Sequence, residues 1–66
     1  MIVTVNDQSK ELSAGATVAD LVESLGLSDR PVAVEVNLKL VTKARHAETV
    51  LSEGDRIEIV TLVGGG

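Results

Sequence analysis

The chain contains neither cysteine nor any aromatic residue, and this constrains its fold more than any other feature. Disulfide bonds and cysteine-ligated metal sites are excluded, so the core must be held together by aliphatic packing alone. At 66 residues there is room for one domain, which should bury only about 60% of the surface that the unfolded chain exposes. Valine, leucine and isoleucine must therefore pack efficiently for the chain to fold.

The charge balance is acidic, with a formal net charge of −4. Basic residues are scattered, and a chain without a basic patch or aromatic side chains is a poor partner for nucleic acid. The acidic surface would suit a protein partner whose binding surface is basic, or it could serve solubility alone. With no long apolar run and no secretory signal, we expect a cytoplasmic protein that does not bind membranes.

One helix gives the clearest local signal. Thr17 is a good N-cap, and Asp20 three residues later makes a variant of the capping box. Gly26 can end the helix in a left-handed conformation. Four apolar residues between these ends share one face at helical spacing: Val18, Leu21, Val22 and Leu25.

Extended segments surround this helix. The β-rich run 1–5, the turn signal Asn6-Asp7 and the segment 8–12 predict an opening hairpin. Three further extended segments are predicted after the helix: 32–36, 40–41 and 56–63, with a polar helical turn at 43–48. The order indicates an α+β fold in which one main helix packs on one face of a mixed sheet.

Three glycines follow the last predicted strand almost directly. Glycine loses more backbone entropy on ordering than any other residue, so we expect a folded domain at 1–63 and a flexible tail at 64–66. The extended tail reaches roughly 10 Å and could thread a narrow channel. Its carboxylate is unreactive until it is activated. The tail is therefore suited to delivering its own terminus to another enzyme. The alternative is that the glycines are only a frayed end of the chain.

Val60 and Leu62 are predicted to share one face of the last strand, opposite Ile57 and Ile59. If the helix covers the other face of the sheet, these two aliphatic side chains form a partner-docking patch beside the tail. The alternative is that they fill a small second cluster under the segment 38–51.

The other polar residues favour structural roles. His46 is the single histidine, and we interpret it as a partly exposed packing residue rather than a catalytic one. Glu53 and Asp55 flank a glycine and are interpreted as a solvated turn rather than a pair for acid–base catalysis. The sequence therefore predicts no catalytic residue and no metal site.

Five segments together carry a resemblance to a known family: Asn6-Asp7, Thr17-Val18-Ala19-Asp20-Leu21-Val22, Val32-Ala33-Val34-Glu35-Val36-Asn37, Gly54-Asp55-Arg56-Ile57-Glu58-Ile59-Val60 and Val63-Gly64-Gly65-Gly66. They resemble the ThiS family, the sulfur carriers of thiamin thiazole biosynthesis, and this implies the ubiquitin-like β-grasp fold. Family members often have Val-Pro-Arg followed by an aromatic residue, whereas this chain has Val41-Thr42-Lys43 and then His46. That departure concerns local packing more than the tail.

The resemblance implies a carrier protein that is a co-substrate and not an enzyme. A ThiF-like enzyme would use ATP to adenylate the carboxylate of Gly66, and sulfur from a persulfide protein would displace AMP. Thiazole synthase would accept sulfur from the resulting thiocarboxylate. Gly64, Gly65 and Val63 would lie in the channels of these enzymes, and the carrier itself would bind no cofactor.

Three alternatives remain open from the sequence. A carrier that resembles the small subunit of molybdopterin synthase would use the same terminal chemistry but is usually longer. A non-covalent ubiquitin-like binding module would not need a free C-terminus. A protein modifier would instead join its C-terminus to lysine side chains through isopeptide bonds.

Overall fold

The computed structural model describes residues 1–62, in which five strands and one α-helix surround a single aliphatic core. The elements in chain order are β1 (Ile2–Val5), β2 (Gln8–Glu11), α1 (Val18–Ser24), β3 (Val32–Val36), β4 (Lys39–Val41), a short 3₁₀ helix (Lys43–Arg45) and β5 (Arg56–Thr61). The predictions for Val63 and for the tail at 64–66, including the domain boundary between them, lie outside the described residues.

The five strands form one mixed sheet in the order β2-β1-β5-β3-β4. The central strand β5 runs parallel to β1 and antiparallel to β3, while the two outer pairs are antiparallel hairpins. The predicted architecture of a mixed sheet with one main helix is therefore confirmed. Because β5 lies in the middle of the sheet, it is held by hydrogen bonds on both sides as it leads towards the end of the sequence.

Both hairpins use residues in the left-handed region at their turns. Asn6 and Asp7 have φ angles of 50° and 69°, and Asn37 and Leu38 have φ angles of 52° and 69°. Two consecutive positive φ angles match the right-handed twist of the flanking strands, and asparagine tolerates this conformation. The first turn confirms the signal at Asn6-Asp7, whereas leucine at the second turn is unusual for a β-turn of this kind.

The helix begins and ends as its sequence predicts. Thr17 Oγ1 accepts a hydrogen bond from Asp20 N, and Asp20 Oδ2 accepts one from Thr17 N, which completes the capping box. Gly26 has a φ of 72°, and the amides of Gly26 and Leu27 donate to the carbonyls of Glu23 and Val22. These two bonds form a Schellman motif that satisfies carbonyls at the end of the helix.

Leu25 departs from the predicted apolar stripe. Val18, Leu21 and Val22 are buried, but Leu25 is exposed. The helix ends at Ser24, so Leu25 is its C-cap with a ψ of 0° and no longer follows the helical path. The prediction that Leu25 packs on the same helix face is therefore wrong. The chain leaves the helix through a left-handed turn at Gly26, and the last regular helical residue is Ser24, one residue before Leu25.

The core lies between α1 and one face of the sheet. Strand residues alternate between the two faces, so the side chains that meet the helix are separated by residues that face the other way. The buried apolar cluster contains Val3, Val18, Leu21, Val22, Val34, Leu51, Ile57 and Ile59. Val32 and Val36 pack against it, which confirms that they share a face with Val34.

His46 is buried, and the expectation that it is partly exposed is wrong. It is the C-cap of the 3₁₀ helix, and its Nε2 lies 3.1 Å from the carbonyl oxygen of Val41. The backbone carbonyl of His46 also accepts a hydrogen bond from Ala19 N in the first turn of α1. The packing role is confirmed, since the side chain and the backbone of His46 both join the segment after β4 to its neighbours.

Candidate functional site

The end of β5 presents two aliphatic side chains to solvent. Val60 is 59% exposed and Leu62 is 52% exposed, whereas Ile57 and Ile59 on the opposite face are buried. The alternation predicted for this strand is therefore confirmed, and the alternative that Val60 and Leu62 fill a second buried cluster is wrong. Two exposed aliphatic residues beside the end of the sequence are available to a partner.

The backbone of β5 is anchored as far as the last described residue. Leu62 N donates a hydrogen bond of 2.8 Å to the carbonyl of Pro31, one step beyond the pairing of Thr61 with Val32 in β3. The point from which residues 63–66 begin is therefore fixed relative to the sheet.

The side chain of Asn6 holds β5 on its other side. Asn6 Nδ2 donates to the carbonyl of Ile59 at 3.1 Å, and Asn6 Oδ1 accepts from Ile59 N at 2.9 Å. Strand β1 has already ended at Val5, so the amide group of Asn6 takes the place of the next backbone residue of the ladder. Sequence reasoning identified Asn6 only as a turn residue, because no local pattern reveals a partner 53 residues away.

The face of the sheet away from α1 combines aliphatic and acidic side chains. We define the docking face as Ala33, Glu35, Leu40, Glu58, Val60 and Leu62, named for the prediction that Val60 and Leu62 contact a partner. In the strand register Ala33 lies opposite Val60, and Glu35 lies between Glu58 on one side and Leu40 on the other. Leu40 is 65% exposed. Two carboxylates therefore lie within a largely aliphatic surface.

The turn before β5 is stabilised by its own carboxylates. Glu53 Oε1 accepts a hydrogen bond from Ile2 N at 2.9 Å, and Asp55 Oδ2 accepts one from Ser52 N at 2.7 Å. Asp55 Oδ1 also accepts from Asn37 Nδ2. These bonds confirm the interpretation of the two residues as a turn, because each carboxylate satisfies backbone or amide donors.

Two further findings apply to residues 1–62. This range contains no group of three or more histidine, aspartate or glutamate side chains that could hold a metal ion. None of the helices formed by these residues has the length and apolar character needed to cross a membrane.

The sheet order, the single helix across one face and the exposed end of the central strand define a small ubiquitin-like β-grasp protein. Residues 3–66 match the sequence model of the ThiS family, and the chain belongs to this family. The match includes the terminal glycines.

The known relatives include separate carriers and larger proteins. The sulfur carrier protein ThiS of Escherichia coli is 30% identical over 66 residues, which cover the whole of both chains. The crystal structure of the thiamine biosynthesis protein ThiS from Geobacter metallireducens superposes with a TM-score of 0.83 at 26% identity, again over all of both chains. A thiazole synthase from Paramagnetospirillum magneticum is 41% identical over 66 residues, but the chain spans only 20% of its length.

Proposed function

We propose that the chain is a sulfur carrier of thiamin biosynthesis and that Gly66 is the residue that carries the sulfur. The proposal is supported above all by the match to the ThiS family over residues 3–66, which extends through the glycines at the end of the sequence. The similarity to the complete sulfur carrier protein of Escherichia coli supports the same conclusion.

The proposed chemistry takes place at the carboxylate of Gly66 in three steps. In a ThiF-like adenylating enzyme, a carboxylate oxygen attacks the α-phosphorus of ATP and pyrophosphate leaves. The terminal sulfur of a persulfide protein then attacks the carbonyl carbon and displaces AMP, which gives an acyl disulfide. A second thiol cleaves the S–S bond, leaving the thiocarboxylate on Gly66 and a disulfide between the two thiols.

The composition of the chain is compatible with this chemistry. Because the chain has no cysteine, none of its own side chains can attack the acyl disulfide or become trapped in a mixed disulfide. The sulfur would therefore travel on the terminal carbonyl carbon alone. In this proposal ATP is consumed by the activating enzyme, and the carrier acts as a protein co-substrate.

Thiazole synthase is the proposed acceptor of the sulfur. The thiazole synthase of Paramagnetospirillum magneticum includes a region similar to the whole of this chain, which supports a functional relation between carrier and synthase. In this arrangement Val60 and Leu62 would contact the partner enzyme, while Val63, Gly64 and Gly65 would occupy the channel to its active site.

Intact-mass measurement tests the proposed function. After incubation with the ThiF-like enzyme, ATP, a persulfide protein and a thiol, the chain should gain the mass that corresponds to sulfur replacing oxygen, and fragmentation should place it on Gly66. The same mixture without ATP should leave the mass unchanged. If enzymes shown to be active on another carrier cause no change, the proposal fails and a non-covalent binding module becomes the better interpretation.

Changing Leu62 to aspartate tests the contribution of the exposed patch. Burying a leucine side chain at an interface contributes about 1.5–3 kcal/mol, so the variant should bind the adenylating enzyme at least about tenfold more weakly. Its free energy of unfolding should change by less than about 0.5 kcal/mol, because the side chain is exposed. Calorimetric titration and denaturant unfolding measure the two quantities.

Val50→Asp is the matched control for this substitution. Val50 is 59% exposed and pairs with Thr17, away from the docking face. The Val50→Asp variant should therefore bind the adenylating enzyme with the affinity of the wild-type chain. Unfolding of Leu62→Asp would show that Leu62 belongs to the core, and equal weakening by both variants would show that the effect comes from added charge anywhere on the surface.

A further inference from the structure

Two glutamates occupy directly opposed positions on the docking face. Glu35 in β3 pairs with Glu58 in β5. Like charges at directly opposed positions of an antiparallel pair destabilise the sheet, whereas an opposite charge at either position would stabilise it. The isolated fold gains nothing from this arrangement.

Neighbouring cations compensate this charge only weakly. Arg56 Nη2 lies 3.5 Å from Glu58 Oε1 and also 3.5 Å from Asp7 Oδ1, so a single guanidinium is shared between two carboxylates. The Arg56 side chain is 55% exposed, and surface pairs of this length contribute little. Within residues 1–62, Glu35 forms no ion pair. The docking face therefore carries negative charge that the described part of the chain does not neutralise.

Aliphatic side chains flank the two carboxylates on the side away from Arg56. The pair Ala33 and Val60 lies two positions along the same ladder, and Leu40 lies beside Glu35 on the edge strand β4. Glu35 and Glu58 are themselves half-buried. A partner that packs against these aliphatic groups would also remove water from both carboxylates. That desolvation is unfavourable unless the partner supplies a positive charge at the same place.

We propose that the docking face binds a partner protein that presents an arginine or lysine side chain within an aliphatic patch, with the cation held between Glu35 and Glu58. The inference rests on the proposed function, since it specifies the chemistry of the partner for the same face. An arginine could donate to both carboxylates at once. A second copy of this chain is a poor occupant, because its own docking face would bring two more carboxylates and its net charge is −4.

Glutamine substitutions test this inference, since they keep the shape of the side chain and remove its charge. We expect Glu35→Gln and Glu58→Gln each to weaken binding to the partner enzyme about tenfold. The loss should shrink at high ionic strength, where charge pairs are screened. The glutamine variants should be at least as stable to denaturant as the wild-type chain, because a repulsive pair has been removed.

The binding partners in this experiment are the ThiF-like adenylating enzyme and thiazole synthase, each titrated by calorimetry at low and at high salt. Glu23→Gln is the matched control. Glu23 is an exposed glutamate on α1, so this variant changes the net charge equally but on the opposite side of the molecule. It should bind like the wild-type chain.

The outcomes separate this inference from the proposed function. Unchanged affinity of Glu35→Gln and Glu58→Gln for both enzymes would overturn the inference, and so would weakening that is accompanied by an equal loss of stability. If these affinities are unchanged while wild-type Gly66 still becomes a thiocarboxylate, only the inference fails. If the glutamine variants bind weakly but the wild-type chain acquires no sulfur, only the proposed function fails. Failure of the wild-type chain to bind either enzyme would overturn both.

Discussion

Replacing Asn6 by alanine is expected to lower the free energy of unfolding by about 2–4 kcal/mol. The variant loses both side-chain hydrogen bonds to Ile59, which leaves the N–H and the carbonyl of that residue without partners in a half-buried part of the sheet. It also forces alanine into a backbone conformation with a φ of 50°. A domain of this size has a total stability of about 3–10 kcal/mol, so the loss is a large fraction of it.

Asn37→Ala is the matched control, since it makes the same change at a φ of 52°. The side chain of Asn37 also forms two hydrogen bonds, with Asp55 and with Arg56 N, but both are exposed and water can replace them. We therefore expect a loss of only about 1 kcal/mol. Asn6→Gly, which relieves the backbone strain but not the missing bonds, should fall between the two alanine variants.

Denaturant unfolding followed by far-ultraviolet circular dichroism measures these differences, because the chain has no tryptophan or tyrosine to report by fluorescence. Hydrogen exchange of the Ile59 amide should accelerate far more in Asn6→Ala than in Asn37→Ala. Equal losses of stability in the two variants would show that the turn conformation matters and that the two hydrogen bonds from Asn6 to Ile59 do not. In that case Asn6 would have no special part in positioning the end of β5.

The helix shows which features the sequence could predict. Thr17, Asp20 and Gly26 act through hydrogen bonds and backbone angles within a few residues, and all three behave as their spacing indicates. The prediction that Leu25 continues the buried face of the helix is wrong. The apolar spacing extends to Leu25, whereas the glycine at position 26 ends the helix, and spacing alone does not show which of these two signals prevails. Local rules therefore located the helix well and its last contact poorly.

The sheet required more than local rules. Alternation along β5 correctly separated Ile57 and Ile59 from Val60, because the period of two is a property of the strand itself. The parallel pairing of β1 with β5 has no local signature, and the β-grasp arrangement was expected only through resemblance to a family. The burial of His46 likewise depends on contacts with α1 and β4 that the sequence around it does not contain.

The candidate site divides in the same way. The exposure of Val60 and Leu62 follows from alternation and could be predicted. The contact of Asn6 with Ile59 and the opposition of Glu35 and Glu58 depend on strand register between distant segments, so the sequence could not reveal them. The roles of residues 63–66 stay predictions that rest on family membership and on the chemistry of a terminal carboxylate.

A short peptide tag fused after Gly66 should abolish thiocarboxylate formation, whereas the same tag fused before Met1 should leave it intact. Adenylation requires a free carboxylate on Gly66, and a peptide bond at this position replaces the carboxylate with an amide, whose oxygen does not attack ATP. The activating enzyme would meet an amide with no route to an acyl-adenylate. Intact mass is measured for the two tagged chains in the same reaction mixture. The chain tagged before Met1 should gain the mass of sulfur replacing oxygen, and the chain tagged after Gly66 should gain none.

The structure explains why a tag before Met1 is the right control. The Met1 amine donates a hydrogen bond of 2.7 Å to the carbonyl of Leu12, and a peptide N–H at that position can still donate. Because β1 and β5 are parallel with Val5 beside Ile57, Met1 and Leu62 lie about 30 Å apart along the strand direction. The tag is therefore far from the end of β5, and a loss of activity there would indicate damage to the fold.

The pair of tagged chains also separates the main alternatives. A non-covalent binding module needs only its folded surface, so it would bind its partner with either tag and neither chain would gain mass. A sulfur carrier should gain mass only when Gly66 is free, even if the chain tagged after Gly66 still docks through Val60 and Leu62. Sulfur incorporation in that chain would place the reactive group somewhere other than the carboxylate of Gly66, and the proposed mechanism would then be wrong.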